Sequence, residues 1–207
     1  MRRALTILDA VADRHLFAPW FKNRDTWAGW FAFVAALFAL PMTPELLANY
    51  RQCTGRVDPP ANPAIEGWLI CGRRAGKSFM LALIAVFLAC FRDYRPHLQP
   101  GERATVLVIA CDRKQARVIF RYIGGLLTRV PMLARMIERE TAESFDLSNA
   151  VSIEVATASY RTTRGIRSLP RCATKLRSGR PRMRPIRITR SWTPFAPAWR
   201  RSPARCC

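Results

Sequence analysis

Large apolar residues crowd the first 40 positions, where Phe17, Trp20, Phe21, Trp27, Trp30, Phe31, Phe33 and Phe38 are interrupted by Lys22, Arg24 and Asp25. That pattern predicts helices carrying large buried anchors. Thr43-Pro44-Glu45 reads as a helix start. The Thr43 hydroxyl can accept a bond from a free N–H, Pro44 suits the first helical position, and Glu45 favours the positive end of the dipole. The helix should stop near Gly55, and the prolines at 59, 60 and 63 then predict a loop, because they can continue neither a helix nor a central strand.

From Trp68 the pattern alternates between strand and helix. Trp68-Leu69-Ile70-Cys71 predicts a short buried strand, followed by a glycine-bearing turn and a long apolar helix from Lys77 to about Phe91. Thr105 to Ala110 reads as the next strand. Ala116, Ile119, Ile123 and Leu126 form one helical face over Asp112 to Leu127, with Gly124-Gly125 weakening its end. Pro131 should open another short helix. Phe145 and Leu147, then Val151, Ile153 and Val155, alternate with other residues around Ser148-Asn149, which predicts a hairpin leading into a further strand. This order implies an α/β fold with a mostly parallel sheet.

Composition divides the chain. Its 207 residues suffice for about one domain. The formal net charge is +20, but residues 166–207 hold 12 basic residues and no acidic one, leaving 22 basic against 14 acidic residues, or +8, for 1–165. The expected organisation is a helical segment over 1–60, a partial core over 61–165 and a disordered basic tail over 166–207. Seven cysteines without a matched CxxC pair read as reduced thiols, without zinc or disulfides. The start carries no secretory pattern, which places the chain in the cytoplasm. The apolar runs 27–40 and 79–91 are shorter than the roughly 18–20 residues that cross a bilayer, so no membrane is expected.

The chemistry lies in Gly72-Arg73-Arg74-Ala75-Gly76-Lys77-Ser78, between the strand at 68–71 and the helix from Lys77. A phosphate-binding (Walker A) loop belongs at such a junction. Backbone N–H groups of the turn, Ala75 included, and of the helix start would bind phosphate oxygens. Gly76 permits close approach, Lys77 reaches the outer phosphates, and Ser78 offers its hydroxyl to magnesium. The strict pattern has a glycine five positions before the Gly-Lys pair, where this chain has Cys71, with Gly72 one step later. Small-molecule kinases and motor ATPases both use such loops.

Four segments narrow this by resemblance: Asn49 to Arg56, Cys71 to Ser78, Val106 to Ala116 with its Gln115-Ala116 pair, and Ala158 to Gly165. Together, over about 15–165, they resemble the ATPase domain of phage terminase large subunits, whose phosphate loop often lacks the first glycine and carries an arginine. The resemblance implies a RecA-like (ASCE) P-loop NTPase fold, with ATP and magnesium as cofactors. It also implies a role in DNA packaging in a bacterial host cell, with double-stranded DNA, a portal protein, a small terminase subunit and sister copies in a ring as partners. By the same resemblance Arg73 or Arg74 helps stabilise charge on the transferred phosphate, and Gln52 sits where adenine is read. Arg164 could touch DNA or couple strands, or be a solvated loop charge.

Hydrolysis of this kind also needs a strand ending in an acidic pair, for magnesium and for water, yet no acidic residue follows Glu154. The loss coincides with the change in composition. If one base is missing after the Gly165 codon, synonymous choices let Ile166 to Gly179 read as Tyr-Thr-Leu-Ala-Ala-Ala-Leu-Cys-Asp-Glu-Ile-Ala-Phe-Trp, an apolar strand ending in Asp-Glu. The expectation is therefore a terminase-like ATPase truncated by a frameshift, able to bind ATP, inactive in hydrolysis, and lacking the nuclease domain such proteins carry further on. The alternatives are a basic nucleic-acid-binding protein driven by its tail, where Trp192, Phe195 and Trp199 could stack on bases, and a P-loop kinase for a small metabolite.

Overall fold

The computed structural model describes residues 5–72 and 74–157, together with the backbone of 184–189. The chain opens with α1 (Ile7–Ala12), whose start is fixed by a reciprocal pair of bonds: the Thr6 hydroxyl accepts from the Asp9 N–H, and the Asp9 carboxylate accepts from the Thr6 N–H. After α2 (Ala28–Phe38), α3 (Pro44–Thr54) begins as the sequence predicts, with the Thr43 hydroxyl accepting from the Leu46 N–H at 3.3 Å. It ends at Gly55, which adopts the left-handed conformation at φ 69° that glycine reaches without steric cost.

Next come β1 (Glu66–Cys71), α4 (Lys77–Phe91), β2 (Ala104–Ala110), α5 (Arg113–Arg129), α6 (Pro131–Ala134), β3 (Ile137–Glu140), β4 (Ser144–Leu147), β5 (Val151–Thr157) and β6 (Arg184–Thr189). The expectation of a mostly parallel sheet needs correction. The four-stranded sheet has the order β2-β5-β4-β3 and is mixed: β2 pairs with β5 in parallel, whereas β5 with β4 and β4 with β3 are antiparallel. Three-residue connections between β3 and β4 and between β4 and β5 permit only antiparallel neighbours, while α5 lies in the long connection that a parallel pair requires.

Strand β1 stands outside that sheet, paired antiparallel with β6. The strand expected to be buried at 68–71 is therefore half-buried on one side and exposed on the other. Leu69 and Cys71 pack on the core, and Gly67 lies close enough to α2 that a Cβ there would meet Leu37 at 3.1 Å. Trp68 and Ile70 point the other way and are exposed. Strand β6 itself falls within the stretch expected to be a disordered tail.

The core is built around α4, in which every residue from Met80 to Ala89 is buried. A helix apolar on all sides needs neighbours on all sides. The strands and α5 cover part of its surface, and the N-terminal segment covers another part, as shown by Phe17 against Phe91 and Phe38 against Phe87, with ring centroids 6.3 and 5.9 Å apart. Helix α5 runs through Gly124-Gly125 to Arg129, beyond the expected weak point. Gly124 packs against the ring of Phe145, and this tertiary contact outweighs the low helix propensity of the pair. No described helix is long and apolar enough to cross a membrane.

Candidate phosphate-binding loop

The loop leaves β1 at Cys71 and enters α4 at Lys77, the junction the sequence predicts. Two residues turn the chain through left-handed conformations, Arg74 at φ 61° and Gly76 at φ 73°. Gly76 occupies the N-cap position of α4, and no side chain caps that helix. Its glycine has a second cause: a Cβ there would lie 2.6 Å from the indole of Trp27. The first N–H groups of a 15-residue helix therefore face the loop without a side-chain acceptor, the arrangement that suits an anion.

Lys77 folds back across the loop, its Nζ donating to the Gly72 carbonyl at 2.9 Å. The ammonium also acts on Cys71: burial raises that thiol above its ordinary range, and the nearby Lys77 charge partly offsets the rise. Arg74 is exposed, and Ser78, the first-turn hydroxyl, is half-buried. Ala75 contributes through its backbone, its carbonyl accepting from Trp30 Nε1 at 2.7 Å. Residues Gly72, Arg74, Ala75, Gly76, Lys77 and Ser78 are thus brought together. Arg73 and Arg164 lie outside the described residues. Gln52 is exposed on α3, and its side chain has no hydrogen bond to another described residue.

Two supporting residues were not legible as such. Trp27 and Trp30 read as core anchors, yet Trp30 fixes the loop backbone and Trp27 lies on Gly76, wedged between Phe21 and Phe79 with centroids 5.1 and 5.8 Å away. An indole N–H in a segment otherwise short of polar partners was the available signal. Beside Gly76 opens a cavity of about 350 Å³, walled by aromatic rings from three parts of the chain.

The loop fits a polyphosphate: it offers helix-start N–H groups that no described side chain caps, a lysine whose one described hydrogen bond is to an exchangeable carbonyl, and a hydroxyl in the first turn. Among the described residues no three histidine, cysteine or acidic side chains gather as a metal site. The four described cysteines, Cys53, Cys71, Cys90 and Cys111, are free thiols.

No known family profile matches the chain, and no curated protein does. Among solved structures it is similar to the large terminase of bacteriophage HK97, at 19% identity and a TM-score of 0.41. The similarity covers 51% of this chain and spans 21% of the length of that terminase.

Proposed function

We propose that this chain is the front portion of a terminase-like DNA-packaging ATPase and binds magnesium-ATP at Gly72–Ser78. One observation carries the reading: the uncapped start of α4, with Gly76 left-handed and Lys77 arched over the loop, in the strand-turn-helix setting that a phosphate loop requires. In this reading the N–H groups of Lys77 and Ser78 hold phosphate oxygens, and Lys77 Nζ exchanges the Gly72 carbonyl for an outer phosphate. The Ser78 hydroxyl holds the magnesium that arrives with the nucleotide. Bound magnesium neutralises phosphate charge, and Arg73 or Arg74 adds to that. Double-stranded DNA, a portal, a small subunit and sister copies follow as proposed partners from the resemblance to terminases.

The same reading makes residues 166–207 an out-of-frame translation, supported by the abrupt change to 12 basic and no acidic residues and by the acidic pair that synonymous choices in the shifted frame permit. The chain then binds ATP but does not hydrolyse it. In equilibrium dialysis the full chain should retain magnesium-ATP, and Lys77→Ala should weaken retention at least about tenfold, the loss of one charged contact to phosphate. Turnover of ATP that Lys77→Ala abolishes would contradict the inactivity, and equal retention by both proteins would contradict the loop assignment.

A further inference from the structure

We propose that the aromatic cavity beside Gly76 receives the base of the nucleotide whose phosphates occupy the loop, in place of the Gln52 site that resemblance suggests. The inference rests on the phosphate-loop reading and adds to it where the rest of the ligand lies. The cavity shares Gly76 with the loop, so a ligand with phosphates at the α4 N-terminus has its next group within reach of the rings. Its walls include Trp20, Trp27, Phe79 and Tyr122, brought from the N-terminal segment, α4 and α5. Phe79 holds both Trp27 and Tyr122 at centroid distances of 5.8 and 5.7 Å.

Ring faces of this kind stack on a flat heterocycle, and such stacking accepts any base. A volume of about 350 Å³ lies within the range of small-molecule sites. The two charged residues at the cavity, Arg121 and Arg129, are exposed, and neither forms an ion pair with a described acidic residue. Unneutralised guanidinium groups beside ring faces select a ligand that is both aromatic and anionic, which a nucleotide is and a bare polyphosphate is not. Gln52, by contrast, has no described bond that orients it toward the loop.

The test compares magnesium-ATP with magnesium-tripolyphosphate, which carries the phosphates without the base, by calorimetric titration of the full chain. Two variants act on the cavity alone: Tyr122→Ala removes one ring, and Gly125→Leu fills open space on the cavity side of α5, where an added Cβ meets nothing within 4 Å. Each should weaken ATP about tenfold and leave tripolyphosphate within twofold, while Gln52→Ala leaves ATP unchanged. Retained tripolyphosphate binding also shows that each variant is folded. If ATP binds no more tightly than tripolyphosphate, or both cavity variants bind ATP as the parent does, the cavity is not the base site and the phosphate loop stands. If the parent chain binds neither ligand, the loop reading falls and this inference falls with it.

Discussion

Gly76 answers to two demands, a backbone at φ 73° and an indole where a Cβ would stand. The left-handed conformation costs a non-glycine residue about 1–2 kcal/mol, and the contact with Trp27 adds to it because Phe21 and Phe79 hold that ring. Gly76→Ala should therefore destabilise the chain by more than about 2 kcal/mol in urea unfolding, and by only the backbone share in a Trp27→Ala background. Equal costs in both backgrounds would separate the glycine from the ring. The spacing of Gly-Lys-Ser made Gly76 and Lys77 readable in the sequence, but nothing local tied Trp30 to Ala75, since that bond joins residues 45 positions apart. At β5, Glu154 is held above its ordinary 4.5, first by burial and then by the negative charge of Asp146. The folded chain thus keeps this proton longer than the unfolded chain, so stability declines as pH rises from 4.5 through the folded value and stays lower above it. Glu154→Gln should raise the Tm at pH 7 and leave it unchanged near pH 3.5; an equal rise at both would contradict the assignment.

Helix and strand positions were legible wherever the local signal was strong. Caps fixed α3 between Thr43 and Gly55, and the unbroken apolar run fixed α4. The signal failed where a distant neighbour decides. Trp68 to Cys71 is apolar on both faces and so reads as buried, yet β1 lies outside the four-stranded sheet and only half-buries alternate residues. In α5 the Gly124-Gly125 pair has the sequence of a helix end and the structure of a helix interior, with Phe145 supplying the reason. The two glycines should respond differently to alanine. Gly125→Ala meets nothing within 4 Å and should gain about 0.8–1.0 kcal/mol from helix propensity. At position 124 the new Cβ would press on Phe145 at 3.2 Å and forfeit most of that gain. Chemical denaturation of the two variants measures the difference, and an equal gain at both would remove Phe145 from the explanation.

For the molecule as a whole, the net charge of +20 suggested a nucleic-acid partner, but 12 of those charges belong to residues 166–207 and +8 to the rest. Such a tail attracts any phosphate backbone and loses that attraction with salt, so charge says little about what residues 1–165 do. The described residues before 158 share one hydrophobic core in which the N-terminal aromatics, α4 and the mixed sheet meet, with the loop 72–78 set between α2 and the start of α4. If the loop binds nucleotide phosphate through its backbone, as we propose, hydrogen exchange with and without magnesium-ATP reads that backbone directly. Slowed exchange is expected, confined to the loop and the first turn of α4, residues 72 to 79, and weaker in Lys77→Ala at an ATP concentration near the parent's Kd. Unchanged exchange there at saturating ATP, or equal protection of Lys77→Ala at that lower concentration, would contradict phosphate binding by the loop.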